Sequence, residues 1–291
     1  METLIVGCGY LGSRVANLML AQGRHVHAMT RGVETADKLR SVGIEPHICD
    51  LTKADSLRHL PSVDAVVFAA AHDRAAGTTM RDLYVGGLGN LFDHLPPPKK
   101  FVHVSSSSVY GQTDGGWVDE TSPADPDEPS GQVIREAETL SRSKFPDTII
   151  LRFSGIYGPG RFLRRDKIEA GQPIVGDAEK WLNLIHVDDG AQAVVAALER
   201  GQPGRTYNVC DDEPVRRRQF YEEMAKVLAA PPPRFQPLAA GMPSPPHEKG
   251  NRRIRNERMR SELGVKLLFP NYRDGLAAAH LAEALISSGD S

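Results

Sequence analysis

With 291 residues, 35 basic against 37 acidic side chains and a formal charge of -2, the chain is long enough to bury a sizeable core and nearly neutral overall. That balance excludes the broad basic field that draws proteins onto nucleic acid or anionic membranes. The three isolated cysteines, Cys8, Cys49 and Cys210, suit neither a disulfide frame nor a metal site, and no apolar run reaches the ~18 residues of a membrane span, so a soluble, cytoplasmic, metal-free protein is expected.

The first element is a strand through Leu4-Ile5-Val6, which enters the turn Gly7-Cys8-Gly9-Tyr10-Leu11-Gly12 and leaves it as a helix from Ser13. Gly-x-Gly-x-x-Gly between a strand and a helix suits a dinucleotide pyrophosphate, because glycines admit it to the backbone and the helix N-terminus favours its charge. The candidate cofactor contacts there are Gly7, Gly9, Tyr10, Leu11 and Gly12. The next strand, from His25, ends at Thr30-Arg31, where an NAD site would carry an acid on the ribose 2′-hydroxyl. A guanidinium pairs instead with a 2′-phosphate, so NADP is favoured over NAD.

A helix over Glu34 to Ser41 precedes a third strand, Glu45 to Cys49, which ends at Asp50-Leu51, where the carboxylate is placed for the adenine amino group. Leu57 to Leu60 reads as helical. The run from Ala65 to Ala71 reads as a parallel strand buried on both faces, and the small side chains of Ala69, Ala70 and Ala71 leave room for a dinucleotide. A helix over Met80 to Leu95 leads to the strand Phe101 to Val104, which delivers Ser105 to Ser108 to its carboxyl end. Strands alternating with helices at this spacing predict an α/β fold, a Rossmann-type doubly wound parallel sheet with its ligands at the carboxyl ends of the strands.

Four strings in order then carry a likeness: Ser105 to Gly111, ending Val-Tyr-Gly; Leu151 to Gly160; Ile185 to Ala191; and Tyr207 to Pro214. In these the chain resembles the short-chain dehydrogenase/reductase superfamily, in its extended and atypical branch of NAD(P)-dependent epimerases and dehydratases. The resemblance implies a dinucleotide-binding part over 1–153, completed by 181–210, and a smaller substrate-binding region over 154–180 and 211–291. It also implies a small-molecule substrate, sugar-nucleotide-like, and a homodimer as one arrangement. Family members use a Tyr-x-x-x-Lys pair and an upstream hydroxyl, in which a lowered Tyr pKa lets the phenolate take a substrate proton. The hydroxyl maps to Ser106. The pair maps to Ser130 and Ile134, so the usual acid/base is missing, and the displaced first glycine and Tyr84, where an active-site Asn is common, agree with an atypical member.

The remaining catalytic candidates are the Ser130 hydroxyl and Tyr110, the latter read chiefly as packing. Candidate substrate contacts are Ser107, Ser154 and Arg161, the last clustered with Arg164 and Arg165, and the resemblance adds Asn183. A proline-rich loop or lid is expected over 231–246, then an amphipathic cap helix over Asn251 to Arg260 and a last helix over Gly275 to Ile286. Two functions stand open from sequence: an NADP-dependent oxidoreductase or epimerase/dehydratase-like enzyme, and a non-catalytic NADP(H)-binding sensor or regulatory protein.

Overall fold

The computed structural model describes residues 1–73, 75, 77–239 and 248–289, the last four as backbone only. Seven strands form one parallel sheet: β1 Thr3–Val6, β2 Val26–Thr30, β3 Glu45–Ile48, β4 Ala65–Phe68, β5 Lys100–Ser106, β6 Ile149–Phe153 and β7 Thr206–Val209, in the order β3-β2-β1-β4-β5-β6-β7. The order reverses at the β1/β4 pair, where Val6 stands beside Phe68. Chains leaving β1 and β4 at that point turn to opposite faces and open a crevice at their carboxyl ends.

Side-chain alternation explains why both faces are covered. Ile5, Val67, Val102 and Leu151 face one layer, helices Gly12–Ala21 and Val187–Arg200; Leu4, Val6, Val66, Phe68 and Phe101 face the other, through Leu88, Leu91 and Ala137. The first helix buries Val15, Ala16 and Met19, the spacing of a single helical stripe. A separate core gathers Tyr157, Phe162, Leu184, Phe220, Met224 and Leu276.

Between β5 and β7 the sheet carries a buried polar network. Arg152 of β6 grips Glu138 through Nε–Oε1 at 2.9 Å and Nη2–Oε2 at 2.8 Å, while the Ser105 hydroxyl donates to Glu138 Oε1 at 2.7 Å. Arg152 Nη1 also donates to the Tyr110 hydroxyl at 3.1 Å, which donates to Asn208 Oδ1 at 2.8 Å. Burial by itself would raise the Glu138 carboxyl; its bonds with Arg152 and Ser105 overcome that and hold it below the usual carboxylate range.

Several boundaries differ from the sequence reading. The helix expected at Leu57 to Leu60 is a short 3₁₀ turn, Ala54–Leu57. Helix 80–94 carries a π segment at Asp82–Gly87, a feature that recurs near functional sites. No continuous helix spans Asn251 to Arg260: Arg253–Ile254 pairs with Trp117–Val118, and only Glu257–Glu262 is helical. Ile254 is buried in the cluster of Val109, Tyr110 and Ile134, and Asn256 donates to the carbonyls of Cys210 and Asp211, so tertiary partners straighten the segment. The final helix runs Tyr272–Gly289. Of the expected proline-rich loop, Phe235–Gln236 pairs with Ile174–Val175, and 240–247 lie outside the described residues. Among the described residues no helix is long and apolar enough to cross a membrane.

Candidate active site

The crevice at the β1/β4 switch is a cleft of about 1050 Å³. That volume stands at the upper end for small-molecule sites. Its first wall is the glycine turn, where the three glycines do different work. Gly7 has φ +99°, and a Cβ there would stand 2.6 Å from Ala69 O and Ala70 N, so the turn lies directly on the end of β4. At Gly12 a Cβ would meet Gly7 O at 2.3 Å, which seats the helix against the turn. Nothing lies within 4 Å of a Cβ added to Gly9, which is exposed on the cleft. Gly9 leaves a cradle into which a ligand's backbone-seeking anion fits, and the residues present therefore fit a dinucleotide pyrophosphate.

Tyr10, Leu11, Thr30, Arg31, Asp50, Leu51, Ala69, Ala70 and Ala71 all line the same cleft. Arg31 is exposed and pairs with Asp73 at 3.7 Å; Asp50 accepts from Thr52 N–H and Oγ1 at 3.0 and 2.8 Å. Leu51 is largely buried, packing on Gly87 while its carbonyl accepts from Asn90 Nδ2 at 2.8 Å. The Tyr10 hydroxyl donates to Pro159 O at 3.0 Å, and its ring carries Arg14 at 4.4 Å and Arg161 at 5.4 Å, which joins the turn to the 158–161 loop. Burial pushes the Cys8 thiol up to about 11, so it is a packed thiol rather than a reactive one.

The four consecutive serines separate into different roles. Ser105 turns inward to Glu138, while Ser106, half-buried, faces the cleft and accepts from Ser108 N–H at 3.1 Å. Ser107 also lines the cleft, and its carbonyl accepts from Arg252 Nη2 at 2.9 Å. Ser154 lies on the wall, buried, with an Oγ that has no hydrogen-bond partner among the described residues. Arg161, beside the Tyr10 ring, and Arg164 also line the cleft, and Arg164 holds a left-handed backbone at φ +58°.

Three sequence candidates are placed differently. Tyr110 is almost wholly buried, and its hydroxyl is occupied by Asn208 and Arg152, so its ring packs and its phenol braces β6 against β7. Ser130 stands at the start of helix Pro129–Lys144, off the cleft wall; Ile134, one turn on, faces it. Asn183 lines the cleft, but Nδ2 donates to Arg252 O at 2.9 Å and Oδ1 accepts from Ile254 N–H at 2.8 Å, so both ends of its amide hold the 252–254 segment.

The sequence reading misses that segment. Lys249, Gly250 and Arg252 return from far along the chain to line the cleft beside Ser107, and among the described residues the buried Arg252 Nε has no partner. Burial holds the Arg252 guanidinium below its ordinary pKa, with Glu128 opposing. Tyr84 stands out in sequence only as a departure. In the π segment it lines the cleft, packs against the cluster holding Ile134, and accepts from His72 N–H at 3.0 Å.

Comparison with known proteins agrees with this geometry. The profile of the NAD dependent epimerase/dehydratase family matches residues 3–210. Protein YeeZ of Escherichia coli (strain K12) is 31% identical over 285 residues, covering 93% of this chain and 97% of that protein. A 3-diazoavenalumate denitrifying reductase of Streptomyces sp is 28% identical over 315 residues, covering 95% and 99%. The structure of DesIV, a dTDP-glucose 4,6-dehydratase from Streptomyces venezuelae with NAD and TYD bound, superposes with a TM-score of 0.82 at 22% identity, covering 99% of this chain and 98% of that one. With the profile spanning most of its length and the glycine cradle, switch point and serine-bearing strand end all in one cleft, the chain belongs to the NAD-dependent epimerase/dehydratase family.

Proposed function

We propose that the protein is an NADP-preferring oxidoreductase of the epimerase/dehydratase type, acting on a small polar, anionic substrate such as a sugar nucleotide. The observation that carries this reading is one continuous cleft joining the glycine cradle, Ser106 and a cationic wall of Arg161, Arg164 and Arg252. Bound there, a nicotinamide cofactor supplies hydride exchange; the chain's own residues bind, orient and move the proton. The NADP preference rests on Arg31, which follows β2, is exposed and pairs only at 3.7 Å with Asp73, so that its guanidinium would take a 2′-phosphate. Ser106 holds the substrate oxygen, and the Ser154 hydroxyl and Arg252 Nε are polar groups left for the substrate.

Ser130 and Ile134 stand for the family's Tyr and Lys, and neither relays a proton at neutral pH. Tyr84 is the group we assign to that task. Tyr10 and Tyr110 donate to Pro159 and Asn208, and Tyr221 lies beside Arg164, whereas among the described residues the Tyr84 oxygen only accepts, from His72. Burial raises the Tyr84 pKa, with the His72 bond opposing, so the phenol keeps its proton at neutral pH and acts as a general acid toward a carbonyl oxygen.

The test is fluorescence titration with NADPH and NADH, followed by turnover with sugar nucleotides and simple aldehydes. NADPH is expected to bind more tightly, and Arg31→Ala to remove roughly tenfold or more of its affinity while sparing NADH. Tyr84→Phe and Ser106→Ala are each expected to lower kcat about a hundredfold with cofactor binding intact. Tighter binding of NADH would remove the role given to Arg31; unchanged turnover in Tyr84→Phe would remove that of Tyr84. Tight NADPH binding with neither net oxidation of the cofactor nor redox-neutral conversion of any substrate would instead favour a non-catalytic sensor.

A further inference from the structure

A second polar cluster lies at the end of the sheet opposite the cleft, where β1, β2 and β3 begin. Glu2 precedes β1, His25 and His27 lie at the start of β2, and Glu45 and His47 lie in β3. The parallel register sets His27 beside Glu45, and the two-residue period turns His25 with His27, and Glu45 with His47, to one face. His27 Nδ1 lies 3.0 Å from His47 Nε2, and the Glu45 carboxylate lies 3.6 Å from both His27 Nδ1 and His25 Nε2. The Glu2 carboxylate is 4.0 Å from His27 Nε2, and the His25 and His27 rings meet edge-on with centroids 4.7 Å apart.

The informative atom is His27 Nε2. The His27 side chain is 6% exposed, and this nitrogen is buried with no hydrogen-bond partner among the described residues. Native structures rarely leave such a group unmatched. With its proton on Nδ1, His27 donates to His47 Nε2 and presents the Nε2 lone pair to Glu2 and His25; the opposite tautomer would bury an unpaired N–H. A ring nitrogen fixed by a hydrogen bond on its far side is the arrangement metal-binding histidines use.

We propose that Glu2, His25 and His27 Nε2 form a binding site for one divalent first-row transition ion, zinc by preference, with His47 and Glu45 as outer partners that orient His27. One ligand atom from each of the three residues lies within 4.8 Å of the others. A tetrahedral zinc site with bonds of about 2.0–2.1 Å needs ligand atoms roughly 3.3 Å apart. The exposed side chains of Glu2 and His25 supply that contraction while buried His27 stays fixed. Two imidazoles and one carboxylate suit zinc, nickel or copper and disfavour the all-oxygen preferences of magnesium and calcium. The ion would tie the starts of β1 and β2 together, away from the cofactor cleft.

The test uses the full chain without a histidine tag, stripped of metal and titrated with Zn²⁺ by calorimetry and with Co²⁺ by visible absorption. One ion per chain is expected, with a four-coordinate cobalt spectrum and an upward shift of Tm on adding zinc. His25→Ala and Glu2→Gln, both at exposed positions, should each weaken zinc binding by about tenfold or more, and His47→Ala by a similar factor through the orientation of His27. Dinucleotide affinity should not change in any of them. The proposal fails if zinc is not taken up stoichiometrically. It fails equally if His25→Ala and Glu2→Gln bind zinc as tightly as the parent, since the ion would then sit elsewhere.

Discussion

Replacing Gly9 and Gly12 by alanine should separate the two tasks combined in the glycine turn. A Cβ at Gly9 meets no atom within 4 Å, and its φ is not in the left-handed region, so Gly9→Ala is expected to leave stability unchanged or raise it by about 0.4–1 kcal/mol through the unfolded chain. The same methyl occupies the face onto which a pyrophosphate would settle. Holding the anion off by one or two charge-assisted N–H bonds costs about 1.5–3 kcal/mol, roughly a ten- to hundredfold loss of affinity. At Gly12 the added methyl would stand 2.3 Å from Gly7 O, a backbone atom that cannot swing aside, so Gly12→Ala is expected to destabilise the fold by about 3 kcal/mol. Urea denaturation measures the first quantity and NADPH fluorescence titration the second. The reasoning is refuted if Gly9→Ala binds NADPH as tightly as the parent, or if it loses as much stability as Gly12→Ala.

Other outcomes follow from the buried polar groups. Glu138→Ala strands the Arg152 guanidinium and is expected to cost about 3–5 kcal/mol in urea unfolding, while the paired change Glu138→Leu with Arg152→Met recovers most of it. Because the Glu138 carboxyl is held below its usual pKa, the stability from this pair is complete above the ordinary carboxylate range and is lost only as pH falls through the lower folded value. Buried His103 is lowered from 6.5 to about 4 by desolvation, with Glu138 opposing. Its contribution is intact above 6.5 and drains between 6.5 and about 4, by roughly 3 kcal/mol at 1.4 kcal/mol per pH unit; His103→Gln should flatten the stability profile over that window. Asn183→Ala removes both bonds to the 252–254 segment and is expected to lower Tm along with kcat, whereas a residue that only touches substrate would change KM at constant Tm.

Much of the fold is legible in local features of the chain. A parallel strand buried on both faces must be apolar throughout, as Ala65 to Phe68 is, and a glycine turn between strand and helix needs no distant partner to be recognised. The segment 251–260 misleads because closely spaced arginines have long apolar stems and satisfy either a helical or an extended pattern; Ile254 instead pairs with Val118 and packs on Val109, Tyr110 and Cys210, and Asn256 bonds the loop after β7.

What the sequence determined by itself was the doubly wound parallel sheet and the dinucleotide cradle, because period, turn chemistry and glycine spacing act over a few residues. What only the tertiary structure decided was which groups meet. The inward turn of Ser105 to Glu138 leaves Ser106 on the cleft; Asn183 is occupied by the 252–254 segment; Arg252 reaches the cleft from 145 residues beyond Ser107; and parallel register gathers Glu2, His25, His27, Glu45 and His47. Each of these depends on long-range packing, which brings together side chains whose separation along the chain carries no local signal.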